Sequence, residues 1–120
     1  MKTENMTTIK IKRVYLPADP TDGYRVLVDR LWPRGIKKEK AAIDIWLKEA
    51  GPSNELRTWF HHEVEKWDEF VKKYQEELKS NPVVDDLKNI LKAHKTVTLV
   101  YSAKDEAHNQ ALALMNFLKN

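Results

Sequence analysis

Residues 81–118 read NPVVDDLKNILKAHKTVTLVYSAKDEAHNQALALMNFL, and this stretch decides the fold class. Asn81-Pro82 opens a helix whose buried stripe is Val83, Leu87, Ile90 and Leu91. Asp85 and Asp86 stand early in it and Lys88 and Lys92 late, the order the helix dipole favours. Thr96 to Tyr101 then predicts a strand, and Ser102-Ala103-Lys104 a tight connector. Asp105 can cap a final helix with Ala107, Ala111, Leu114, Met115 and Leu118 on its inner face. Helix, strand, tight loop and helix in succession are the grammar of an α/β layered sheet. In such sheets ligands sit beyond the carboxyl ends of the strands, so the exits of strands are where chemistry is sought.

Working back along the chain, Val64, Trp67, Phe70, Val71, Tyr74 and Leu78 recur at three- and four-residue steps and predict the clearest amphipathic helix, with Trp67 in its core stripe. Before it, Gly51-Pro52 is a break, and Ser53 can cap a short helix carrying Leu56, Trp59 and Phe60. Ile43 to Leu47 alternates as a third strand, and Lys37 to Ala42 fits one helical turn. Tyr24 to Leu31 holds the apolar run Val26-Leu27-Val28, a second strand, and Ile9 to Leu16 a first. The predicted architecture is a small layered α/β domain: a largely parallel or mixed sheet of three to four strands flanked by helices. Residues 1–8 are expected to be a disordered tail and 9–120 one domain.

Composition narrows the function classes. At 120 residues the chain fits one domain, and 42% hydrophobic with 32% charged residues is too apolar for a disordered segment. There is no cysteine, which removes disulfides, thiolate metal sites and thiol nucleophiles. No run approaches the roughly 20 apolar residues of a membrane span, and Met1 to Thr8 has no signal-peptide core. A cytoplasmic location with no membrane partner is the expectation. The net charge of +3, with both signs well mixed, permits nucleic-acid contact without demanding it. Only Gly23, Gly35 and Gly51 are glycine, so neither a Walker loop nor a dinucleotide fingerprint exists, and no cofactor is expected.

Three segments carry candidate chemistry. Asp29-Arg30-Leu31-Trp32-Pro33-Arg34-Gly35 leaves the second strand with two guanidiniums flanking a tryptophan. Arg30 and Arg34 suit forked binding of phosphate or carboxylate, and Trp32 suits a pocket wall; pairing of Asp29 with an arginine is the structural alternative. At Ser53 the free amides of a helix start favour an anion, Arg57 follows one turn later, and His61 one turn after that. There the alternative is a capping serine and a solvated histidine. Ser102, Lys104 and His108 leave the last strand and could supply a hydroxyl, a charge and a proton carrier. Their alternative is a capping Asp105 beside solvated side chains. His61 and His62 are adjacent and point apart on a helix, so no metal site is expected.

The strings YRVLVDRLWPRG (24–35), WLKEAGPSNELRTWFHH (46–62), KWDEFVKKYQEEL (66–78) and VTLVYSAKDEAHNQALAL (97–114) resemble the YeaO-like branch of the bacterial family called domain of unknown function 488. The resemblance runs from about Ile9 to Leu118. The family has no settled reaction. Its longer branch resembles a Cys-His-Arg pattern after the last strand, where this chain reads Ala107-His108-Asn109. The resemblance therefore implies that thiol chemistry does not carry over, while His108, Arg30 and Arg34 do.

The leading functional expectation is an anionic small molecule, phosphorylated or carboxylated, or a nucleotide, held by Arg30, Arg34, Ser53 and Arg57. His108, Ser102 and Lys104 would be the catalytic candidates, and Trp32 and His61 the wall. The alternatives are a nucleic-acid-binding accessory domain, with Trp32 or Tyr24 stacking on a base, and a ligand-free adaptor domain. Convergence of the three segments on one concavity favours the first. Oligomeric state is not legible in the sequence.

Overall fold

The computed structural model describes residues 7–119. Four strands, β1 (Thr8–Arg13), β2 (Tyr24–Leu27), β3 (Ile45–Trp46) and β4 (Thr96–Tyr101), form one sheet in the order β1-β4-β2-β3, with every neighbouring pair parallel. Five helices accompany them among the described residues: α1 (Lys38–Ala41), α2 (Asn54–Phe60), α3 (Trp67–Lys79), α4 (Val83–Ala93) and α5 (Gln110–Lys119). Of the expected tail, Met1 to Met6 lie outside the described residues. Thr7 donates its hydroxyl to the Leu91 carbonyl (2.5 Å), and Thr8 already belongs to β1.

The strand period sorts side chains between two unequal layers. Val26, Val28, Val97, Leu99 and Tyr101 face a large core built with Leu56 and Phe60 of α2, Phe70, Tyr74 and Leu78 of α3, Leu87 of α4 and Leu114 of α5. Leu27 and Val100 face the other way, onto Val14, and are covered by Trp32, Ile36, Ile43 and Trp46. The second layer is therefore largely loop, and Trp32 is part of its cover. Gly23 is required at the start of β2: its φ is +67°, and a Cβ there would lie 2.3 Å from the Thr96 carbonyl oxygen.

Several expected boundaries move, each for a local reason. β1 stops at Arg13 rather than Leu16 because the Leu16 amide folds back onto the Arg13 carbonyl (3.1 Å). β2 stops at Leu27 rather than Leu31. Val28 still donates to Val100 (3.0 Å), but the Asp29 carbonyl is taken by the Trp46 indole (2.7 Å) instead of a strand neighbour. Val64 sits in a 3-10 turn before α3 and is 49% exposed, outside the stripe that predicted it. α5 begins at Gln110, not at Asp105. Asp105 spends its carboxylate on the Ala107 and His108 amides, and Asn109 accepts from the Leu112 amide (2.8 Å) at the helix start. Ala107 is consequently exposed rather than on the inner face.

Candidate functional site

Parallel strands bring their carboxyl ends to the same edge, and the segments leaving β1, β2 and β4 meet there. Together with the end of α2 they line a cavity of about 770 Å³. Arg30, Trp32, Arg34, Arg57, His61, Ser102, Lys104 and His108 all line it. Ser53 does not. Its hydroxyl donates to Glu77 Oε2 (2.6 Å) and accepts from the Leu56 amide (3.1 Å), so it caps α2 and ties that helix to α3. Arg13, from the end of β1, is a lining cation that the sequence reading did not single out.

The cations are held in different ways. Arg30 donates to the carbonyls of Pro52 (2.9 Å) and Gly51 (2.8 Å), and Arg13 to that of Ala103 (2.9 Å). These neutral acceptors orient the guanidiniums and leave their charge uncancelled. Arg34 and Lys104 are exposed at the rim. Arg57 bonds Asn54 through one terminal nitrogen, while its Nε is buried without an acceptor. None of these five side chains forms an ion pair with a carboxylate among the described residues.

One carboxylate lines the cavity among the described residues: Asp29, 7% exposed. It accepts from the Ser102 amide (3.0 Å) and from the Gln110 side chain. The alternative reading, a pair between Asp29 and an arginine, has no counterpart among the described residues. Burial pushes the Asp29 carboxyl above its ordinary value, against the pull of Ser102, Gln110 and the more distant Arg57. Sequence reasoning treated Asp29 as a partner for arginine. Its only signal as a site residue was its place directly after the apolar run Val26-Leu27-Val28.

The histidines differ. His108 lies in the loop ahead of α5, not in the first turn of a helix capped by Asp105 as the sequence predicts. Its Nδ1 is 2.9 Å from Asp105 Oδ2, and its ring meets Trp67 edge-on at 5.4 Å. A proton on Nδ1 bonds to Asp105 and leaves Nε2 with a lone pair. The Ala107 amide first, and then the His108 ring, hold the Asp105 carboxyl below its ordinary value. His61 and His62 take consecutive left-handed conformations (φ 46° and 56°) where α2 ends, and both are exposed. Behind them Phe60 stacks on Phe70 at 4.3 Å, making an aromatic back wall. Among the described residues no group of three or more His, Asp or Glu could hold a metal ion, and no helix is long and apolar enough to cross a membrane.

Comparison with known proteins places this geometry in context. The family described as the inactive DUF488-N3 subclade matches residues 8–120. An Escherichia coli (strain K12) protein, named only as the uncharacterized protein YeaO, is 46% identical over 112 residues, covering 93% of this chain and 97% of its own. An uncharacterized protein of Mycobacterium tuberculosis (strain ATCC 25618 / H37Rv) is 43% identical over 112 residues, covering 93% and 94%. No solved structure matches.

Proposed function

The chain belongs to the inactive DUF488-N3 subclade, and from that premise we propose that its cavity binds an anionic small molecule without turning it over. One observation carries the reading. Arg13, Arg30, Arg34, Arg57 and Lys104 converge on a single concavity, and no carboxylate among the described residues pairs with any of them. Unpaired positive charge in a concave site attracts and retains an anion, and guanidiniums suit forked binding of phosphate or carboxylate. The word inactive in the subclade's description, and Ala107 where the longer branch carries a thiol, support binding over catalysis. His108, Ser102 and Lys104 are then ligand contacts first. A proton transfer by His108 Nε2 is the one catalytic role the loop still supports, because Asp105 anchors the opposite nitrogen.

A nucleic-acid surface draws less support. The cations line a hollow rather than a stripe, and Tyr24, an expected stacking ring, packs on His94 at 4.0 Å away from the cavity. The test is a titration with inorganic phosphate or sulfate, read by tryptophan fluorescence through Trp32 and by thermal unfolding. At a hundredfold excess over the dissociation constant, binding should add about 2.7 kcal/mol to stability. Arg57→Ala should abolish most of the response. An unresponsive wild type, or an unchanged response in both Arg57→Ala and Arg34→Ala, would overturn the reading.

A further inference from the structure

The cavity contains more than an anion requires. Its volume of about 770 Å³ is far larger than a tetrahedral anion and falls in the range that holds a drug-sized ligand. Its charge is also divided. Beside the cations of the lining, the buried Asp29 presents an acceptor where a simple anion would meet repulsion. Asp29 has capacity to spare: a carboxylate offers about four lone-pair sites, and the Ser102 amide, the Ser102 hydroxyl and the Gln110 side chain engage three of them. The lining also includes the rings of Trp32, Phe60, His61 and His62. Such rings favour a planar partner.

We infer that the occupant is a planar nitrogen heterocycle carrying an anionic group, with a ring-system N–H donated to Asp29 and the anion held by Arg57, Arg34 and Lys104. This rests on the anion-binding reading and adds the part of the ligand that the arginines do not contact. Nucleoside monophosphates belong to this class. A heterocyclic N–H would occupy acceptor capacity left on Asp29, and the ring bearing it would lie against the aromatic lining, which a sugar phosphate alone does not use.

The experiment uses the full chain and calorimetric titration with inorganic phosphate, ribose 5-phosphate, the four common ribonucleoside monophosphates and purine riboside monophosphate, whose base has no N–H donor. At least one donor-bearing monophosphate should bind about tenfold or more tighter than both ribose 5-phosphate and the purine riboside compound, the scale of one hydrogen bond to a charged group. Asp29→Asn should erase that preference and leave phosphate binding in place. If phosphate binds but no monophosphate exceeds the two compounds that lack a heterocyclic N–H, the inference falls and the anion-binding reading stands. Retention of the preference in folded Asp29→Asn also overturns it. Should that variant not fold, judged by circular dichroism, the wild-type comparison of ligands with and without a heterocyclic N–H decides alone. Failure of every anion to bind removes both readings together.

Discussion

Arg25 and Arg30 come from the same short segment of chain and meet opposite fates. Arg25 is 4% exposed, and its guanidinium is fully engaged: Asp22 at 2.6 Å, the Ala42 carbonyl at 2.9 Å and the Ala41 carbonyl at 3.0 Å. Asp22 is also reached by Lys12 at 3.2 Å and by the Asp19 amide at 3.1 Å. Charge there is closed on itself. Beyond the strand's exit, Arg30 is held only by neutral carbonyls, and its cationic neighbours have no carboxylate partner among the described residues. An arginine cluster is thus read by its acceptors, not by its count. Buried and paired, it fixes a loop; oriented but unpaired, it is available to a ligand.

The contrast breaks or sharpens under substitution. Arg25→Ala should cost about 3 kcal/mol in denaturant unfolding, because it leaves the buried Asp22 with Lys12 as its one cation among the described residues and removes the donor of the Ala41 and Ala42 carbonyls. Arg34→Ala, at the exposed rim, should stay within about 0.5 kcal/mol. Equal losses in the two variants would erase the distinction. Packing, not ion pairing, should hold the cavity's back wall. Trp67 is half-buried against Phe60 (6.0 Å), Phe70 (5.6 Å) and His108 (5.4 Å), so Trp67→Ala should cost about 3 kcal/mol. A change under about 0.5 kcal/mol would show those contacts to be superficial.

The smallest effect is in the pH dependence, where the two carboxylates have opposite signs. Burial pushes Asp22 up, but the Asp19 amide, Lys12 and Arg25 outweigh it and leave the carboxyl below its ordinary value. Its contribution is present above the ordinary carboxylate range and is lost as pH falls through that lowered value. The Asp29 carboxyl is raised, so its contribution is present at low pH and is lost as pH rises through the raised value. Unfolding of Asp22→Asn and Asp29→Asn across acid to neutral pH should therefore diverge. The deficit of Asp22→Asn should shrink on acidification, while Asp29→Asn should gain on wild type as pH rises. Parallel curves would refute the assignment of signs.

Legibility in the sequence followed the range of the interaction that fixes each feature. β4 was readable to its ends because its apolar run is itself the core, with Val97, Leu99 and Val100 wholly buried. Ser53 was readable as a cap because its partner, Leu56, is three residues away. Its second partner, Glu77, is 24 residues away and left no local trace, so the expected anion contact at Ser53 was drawn from half of its bonding. The start of α5 was misplaced because Asp105 and Asn109 are both competent caps, and it is the buried Asn109 that stands at the helix start. The convergence of the candidate segments was readable from the strand-exit rule. The isolation of Asp29 from arginine was not, because it depends on where β4 sets Ser102.

The strand order also dictates the sequence of assembly. β4 lies between β1 and β2, so those two never pair with each other, and Thr8 meets Thr96 only after nearly the whole chain is available. On a ribosome, β1 must wait without a partner until β4 emerges, and closing so long a loop is an entropic barrier that slows folding. Every chain shortened before Thr96 lacks β4 and the loop after it, which brings Ser102, Lys104 and His108 to the cavity, so the cavity is complete only when nearly the whole chain has been made.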